Sequence, residues 1–68
     1  MRKWLKDKRK ANAMSQKEIA KIVGIEQQSY SLLEGGLRNP SVAIAKKIAD
    51  ILDFDWTLFY EQPNQNVS

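Results

Sequence analysis

The side chains that most often carry enzyme chemistry are missing from this 68-residue chain, which has neither cysteine nor histidine. Their absence excludes thiolate nucleophiles, disulfides and Cys- or His-ligated metals, and removes the commonest general base. Asp50, Asp53 and Asp55 lie close together, but their spacing matches no calcium-binding loop. We therefore expect neither an enzyme nor a bound metal or cofactor.

The side chains of a second group suit hydrogen bonding to a ligand rather than catalysis: Gln27, Gln28 and Ser31. These residues follow the pair Ala20 and Gly24, which together suit two short helices joined by a tight turn. A small residue at position 20 lets the helices approach closely. Gln27, Gln28, Ser31 and Leu32 are then expected to point outward. A generic three-helix bundle would not need all of these features together.

Basic residues are concentrated in the first third of the chain. Residues 1–21 hold eight basic and two acidic side chains, a net charge of +6, whereas residues 22–68 hold three basic and six acidic ones, a net charge of −3. This asymmetry indicates a surface that faces a polyanion. On charge alone, a solvated lysine-rich helix face is the slightly better interpretation.

The elements that must position these side chains are all predicted to be helices, because no segment alternates apolar and polar residues. The first helix is predicted over about 2–11. The second starts at a capping box formed by Ser15 and Glu18 and ends at residue 23, and the third covers about 26–33. Ser41 caps a fourth helix, and Asp55 caps a short fifth helix over 56–60. The fold class is thus all-α, a compact five-helix bundle. The domain spans residues 1–61, and residues 62–68 are expected to be a flexible polar tail.

Residues 16–35, together with 38–41 and 54–59, resemble the phage repressor and Cro family (XRE family) of helix-turn-helix regulators. The similarity covers about residues 2–60. It implies a lambda-repressor-like DNA-binding domain whose third helix, about residues 26–33, lies in the major groove of double-stranded DNA. One departure is Ala13, where relatives frequently have glycine; Asn12 is expected to adopt the left-handed conformation instead.

The resemblance also implies roles for individual residues. Base edges are read by Gln27, Gln28, Ser31 and Leu32, and phosphates are contacted by Gln16, Lys17, Arg38 and Asn39. Leu32 either meets a thymine methyl group or folds back on the bundle. Glu26 either accepts a hydrogen bond from cytosine or interacts with the helix dipole. Arg9 and Glu34 are expected to form a structural ion pair. For Arg2, Lys17 and Lys21, two roles stay open: each contributes long-range electrostatic attraction or is merely solvated.

The sequence therefore predicts a small transcriptional regulator, a repressor that binds an inverted-repeat operator as a homodimer. The alternative is a protein-interaction module or an antitoxin-like autorepressor, docking a partner through its aromatic C-terminal helix and the surface from Leu32 to Leu37. No secretory signal or membrane span is apparent, since the longest apolar run is residues 42–45. We expect a cytoplasmic, nucleoid-associated protein with no membrane contact and no small-molecule effector. Trp4, Trp56 and Tyr60 are expected in the core or a dimer interface.

Overall fold

The structure is a computed structural model that describes residues 1–60. It contains four α-helices, α1 (Lys3–Ala11), α2 (Gln16–Val23), α3 (Gln27–Glu34) and α4 (Val42–Leu52), followed by a 3₁₀ helix (Trp56–Tyr60). These residues include no strand, as the sequence predicted. Within the same range, every helix is too short or too polar to cross a membrane. The predicted domain boundary at residue 61 and the tail 62–68 lie outside the described residues.

The start of α2 is fixed by the predicted capping box. The Glu18 amide donates to the Ser15 hydroxyl oxygen at 3.0 Å, and the Ser15 amide donates to the Glu18 carboxylate at 2.8 Å. Two otherwise unpaired amide groups are satisfied in this way. Ser41 caps α4 in the simpler manner, accepting from the Ile44 amide. Both predicted helix starts are confirmed.

The end of α1 differs from the prediction. Ala13 itself adopts the left-handed conformation, with φ of +56°, whereas Asn12 has φ of −95°. The reason is the hydrogen-bond pattern of the helix end: the Met14 amide donates to the Arg9 carbonyl at 3.2 Å, which requires the intervening Ala13 to reverse the chain. Asn12 instead donates its side-chain amide to the Lys8 carbonyl. The assignment of the left-handed role to Asn12 was wrong.

A single hydrophobic core lies between the helices. Five residues are expected from the sequence to fill the space around α2 and α3, and four of them, Ile19, Val23, Tyr30 and Leu33, are at most 3% exposed. The fifth, Ile25, is half-buried, and Ala20 is 1% exposed. The other buried apolar residues come from α1, α4 and the 3₁₀ helix: Leu5, Ala45, Ile48, Ala49, Leu52 and Phe59. This core fixes α3 against the rest of the molecule.

The predicted fifth α-helix is a 3₁₀ helix, so the five-helix count becomes four α-helices and one 3₁₀ helix. Five residues with three aromatic side chains and a threonine favour α-helix weakly. Hydrogen bonds between residues two and three positions apart start this turn. The Asp55 carboxylate accepts from the amide and the hydroxyl of Thr57, and the Asp55 backbone carbonyl accepts from the Leu58 amide. The two hydrogen bonds from Thr57 lower the pKa of the Asp55 carboxyl group.

An aromatic cluster attaches the 3₁₀ helix to the bundle. Trp4 packs edge-on against Phe54 and Phe59, with ring centroids 5.2 and 5.3 Å apart. Trp56 is half-buried and packs edge-on against Tyr60. Tyr60 is 41% exposed and donates its hydroxyl to the Pro40 carbonyl at 2.8 Å. Trp4 and Trp56 therefore pack against the core, whereas Tyr60 is at the surface.

Candidate nucleic-acid interface

The predicted recognition helix α3 has one buried and one exposed side. Gln27, Gln28 and Ser31 are exposed, while Tyr30 and Leu33 on the other side are buried. Gln27 and Ser31 are four residues apart and therefore neighbours on the helix surface. The structure thus brings three of the four predicted base-reading side chains together on one solvent-facing surface.

The turn between α2 and α3 sets the direction of this surface. Gly24 ends α2 with φ of +92°, a conformation that suits glycine, and the amides of Gly24 and Ile25 both donate to the Ala20 carbonyl at 2.8 and 3.0 Å. Ala20 is buried at the same point. The predicted roles of these two small residues are confirmed by the geometry.

Buried charges lock the C-terminal end of α3. The Arg9 guanidinium donates to both oxygens of the Glu34 carboxylate, at 2.8 and 3.0 Å. The same carboxylate accepts from the Tyr30 hydroxyl at 2.9 Å and from the Gln16 amide at 3.0 Å. Four hydrogen bonds therefore surround one buried carboxylate and join α1, α2 and α3.

The pKa values of this network reflect its geometry. Burial favours the neutral form of Glu34, but the hydrogen bonds from Arg9, Gln16 and Tyr30 and the arginine charge outweigh burial, and the pKa of Glu34 is lowered overall. The hydrogen bond to Glu34 raises the pKa of Arg9. Burial, together with the hydrogen bond to Glu34, raises the pKa of Tyr30. The ion pair is therefore charged and Tyr30 neutral at neutral pH.

The predicted phosphate-contacting residues of α2 have different surroundings. Gln16 is half-buried, and one of its side-chain N–H groups is already used by Glu34. This internal bond was missed by sequence reasoning, because it joins residues 18 positions apart. Lys17 is exposed beside it at the start of α2.

The other two predicted phosphate-contacting residues, Arg38 and Asn39, are exposed in the α3–α4 loop (residues 35–41). A shallow depression of about 190 Å³ is lined by both of them and by Ser29 of α3. The loop and α3 therefore border one surface feature.

Arg2 is not a freely solvated cation, which was one of the two roles that the sequence left open for it. It is half-buried, and its guanidinium donates to the carbonyls of Leu33 and Arg38 and to the side-chain oxygen of Asn39. The central carbon of this guanidinium group, Cζ, lies 5.5 Å from the centre of the Phe59 ring. Desolvation lowers its pKa. No sequence signal links residue 2 to residue 39, because only the fold brings them together.

Leu32 in α3 and Glu26 just before α3 are the residues for which the sequence left two roles open. Leu32 is half-buried and is not part of the hydrophobic core. Glu26 precedes α3, is exposed, and makes no side-chain capping hydrogen bond. Its effect on the helix in this structure is therefore that of its charge near the positive helix end.

Basic side chains outside the ion pair are mostly solvent-facing. Lys3, Lys10, Lys17 and Lys21 are exposed on α1 and α2, and Lys3 pairs with Asp7 at 3.2 Å. Across residues 1–60 there is no group of three acidic side chains arranged to hold a metal ion.

The short α2, the tight turn at Gly24 and the locked, outward-facing α3 define a helix-turn-helix domain. Comparison with known proteins agrees: the helix-turn-helix family HTH_3 matches residues 5–59. The chain belongs to this Cro/C1-type (XRE) family of DNA-binding transcriptional regulators.

Three curated relatives carry the same description. An uncharacterized HTH-type transcriptional regulator of Bacillus subtilis strain 168, YqaF, is 48% identical over 61 residues, covering 90% of this chain and 80% of the relative. Two uncharacterized HTH-type transcriptional regulators of Archaeoglobus fulgidus are 38% and 40% identical over 53 residues, covering 78% of this chain and 76% and 75% of the relatives. No solved structure matches the chain significantly.

Proposed function

We propose that this protein is a sequence-specific repressor that binds an inverted-repeat operator in double-stranded DNA as a homodimer. The observation that carries the proposal is the exposed surface of α3, where Gln27, Gln28 and Ser31 lie opposite a face fixed by Tyr30, Leu33 and the Glu34 network. A rigid helix with exposed amides suits the major groove, which admits an α-helix. Such a protein would act beside the chromosome in the cytoplasm.

Base recognition is assigned to the start of α3. Each glutamine amide has a donor and an acceptor, which suit the N6 and N7 atoms of adenine, and each such pair discriminates by about 1–3 kcal/mol. Ser31 is a shorter, less selective partner. For Leu32 there are two assignments, contact with a thymine methyl group or packing on the bundle. Its half-buried position suits both of them.

Phosphate contacts are assigned to two segments that flank α3. Gln16 retains one side-chain N–H group beyond its bond to Glu34, and Lys17 is exposed next to it. Arg38 and Asn39 follow α3 in the chain and are exposed in the α3–α4 loop. These contacts would supply affinity and salt dependence rather than sequence information.

The homodimer follows from the size of the recognition element. The eight residues of α3 span about 12 Å at 1.5 Å per residue, so one copy reaches few base pairs. Two copies related by two-fold symmetry would place their helices about 34 Å apart along the DNA. Occupation of a promoter by this dimer would exclude RNA polymerase.

Selection from a random duplex pool tests the proposal. The purified protein is titrated with the pool at low and moderate salt, retained duplexes are sequenced, and the mass of the complex is measured by analytical ultracentrifugation. We expect an enriched inverted repeat bound by two copies. The double variant Gln27→Ala, Gln28→Ala should lose the enrichment while Asn12→Ala, an exposed amide outside α3, keeps it. Retention of unenriched DNA by wild type would argue against sequence-specific recognition.

A protein-interaction module is the second candidate, and the exposure of Leu37 favours it. This leucine is 80% exposed in the α3–α4 loop. On this alternative, Leu37→Ser weakens partner binding and the double glutamine variant leaves it unchanged. An antitoxin-like autorepressor would show both DNA and partner binding.

A further inference from the structure

The C-terminal end of α3 connects the two segments assigned to phosphates. The Glu34 carboxylate accepts from Gln16 on one side, and the Glu34 carbonyl accepts from the Arg2 amide at 2.8 Å on the other. The Arg2 guanidinium then reaches Asn39. Gln16, Glu34, Arg2 and Asn39 thus form one continuous chain of hydrogen bonds.

We propose that Arg2 is a positioning residue for DNA binding, which holds the α3–α4 loop so that Asn39 presents its amide donors to a phosphate. This inference rests on the proposed function, because it assumes that Asn39 contacts the DNA backbone. It assigns Arg2 a role that depends on its shape, not only on its charge.

The orientation of the Asn39 amide follows from the chemistry of its partner. A guanidinium group only donates hydrogen bonds, so it must face the side-chain oxygen of Asn39. The amide nitrogen with its two N–H groups is then the end left for another acceptor. A phosphate oxygen only accepts, and it therefore requires that end.

The loop needs an external support of this kind. It begins with Gly35 and Gly36, and Gly36 has φ of +79°. Glycine loses more conformational freedom on ordering than any other residue, so a loop that starts with two of them gains from an external tie. Arg2 ties the loop to the last turn of α3 by donating to Leu33 and, at 3.0 Å, to Arg38.

Arg2 is itself held in place from two directions. Its guanidinium lies over the Phe59 ring, and its backbone amide is bonded to Glu34. A positive group at the C-terminal end of α3 also suits the helix dipole, and α3 has no basic residue in its own last turn. A lysine would keep the charge, but its single nitrogen cannot occupy the positions of two guanidinium nitrogens.

The test compares Arg2→Lys, Arg2→Ala, Asn39→Ala and the double variant Arg2→Lys, Asn39→Ala, all binding the duplex selected by the wild-type protein. Lys10→Ala is the control, because it removes one exposed charge from α1 without touching the loop. Titrations are done at 15 °C and moderate salt, after circular dichroism has shown each variant to be folded. If Arg2→Ala does not fold, the comparison of Arg2→Lys with Asn39→Ala suffices.

We expect Arg2→Lys and Asn39→Ala each to weaken binding about 10-fold, since one hydrogen bond is lost in each of two copies. The double variant should bind within about twofold of Asn39→Ala, because a lysine nitrogen can keep the hydrogen bond to the Arg38 carbonyl and the Asn39 side chain that Arg2 positions is gone. If Arg2→Lys weakened binding only by disturbing the fold, its fold-change in affinity would multiply with that of Asn39→Ala in the double variant. Lys10→Ala should stay within about threefold of wild type.

Two results would overturn the inference. Wild-type affinity in Arg2→Lys would show that charge alone is needed, and multiplying losses in the double variant would show that the residues act separately. Either result leaves the proposed function standing, provided that the wild type selects a duplex. If the wild type selects none, the proposed function fails first and the inference fails with it.

Discussion

Replacing Glu34 with glutamine keeps the size of a buried side chain but removes its charge. Glu34 is 2% exposed and accepts four hydrogen bonds, two of them from Arg9, which is itself 8% exposed. The N–H groups of the glutamine amide would face hydrogen-bond donors of Arg9, Gln16 or Tyr30, and the charge of Arg9 would be left unpaired. Removing one partner of a buried pair costs about 3–5 kcal/mol. We expect about 3 kcal/mol here, because Arg9 is near enough to the surface to reach water.

This loss is large compared with the whole stability. The sixty residues that the structure describes correspond to a free energy of unfolding of about 3–9 kcal/mol at about 0.05–0.15 kcal/mol per residue. The Glu34→Gln variant should therefore melt about 12–24 °C lower than the wild type, at about 4–8 °C per kcal/mol for a domain of this size. Thermal and urea unfolding followed by circular dichroism measure this change.

Asp7→Asn is the matched control. Asp7 pairs with Lys3 at 3.2 Å, but their side chains are 59% and 81% exposed. Exposed pairs of this spacing contribute about 0.3–0.5 kcal/mol. If Glu34→Gln costs no more than Asp7→Asn, the argument that burial makes the Arg9–Glu34 pair important is wrong.

The comparison of Glu34→Gln with wild type also predicts how the free energy of unfolding depends on pH in acid. The pKa of Glu34 is lowered in the folded protein, so its contribution is present above the unfolded pKa of about 4.3 and is lost as pH falls through the folded value. The difference in unfolding free energy between wild type and Glu34→Gln should thus be full at pH 6 and shrink below about pH 4. A difference that stays constant down to pH 2 would contradict the assigned cause.

Three further substitutions test local features. Ala13→Gly should raise the free energy of unfolding by about 0.5–1 kcal/mol in urea titrations, since Ala13 has φ of +56°; a loss would refute the strain argument. Ser15→Ala should lower it by about 1 kcal/mol, because the capping box with Glu18 is lost; an unchanged melting temperature would show that the cap is dispensable. The pKa of Tyr30 is raised, so its contribution is present below about pH 10 and lost as pH rises through the folded value; Tyr30→Phe should unfold with a flatter alkaline profile than wild type, and parallel profiles would contradict this.

Local sequence signals determined the parts of the fold that depend on neighbours in the chain. The capping box of α2, the Ser41 cap of α4, the glycine turn and the apolar spacing of both helices are satisfied within a few residues, so their positions follow from the sequence. Two predictions failed, at the end of α1 and at residues 56–60, where hydrogen bonds between near neighbours in the chain set the conformation. Ala13 took the left-handed conformation in place of Asn12, and residues 56–60 formed a 3₁₀ helix around the aromatic cluster.

For the candidate site, the sequence by itself placed Gln27, Gln28 and Ser31 on an outward helix face, and the resemblance suggested the pairing of Arg9 with Glu34. Only the tertiary structure brought Arg2 to Asn39 and Gln16 to Glu34. The physical reason is chain distance: helix periodicity relates residues three or four apart, whereas a hydrogen bond between residues 18 or 37 positions apart exists only after the helices have packed.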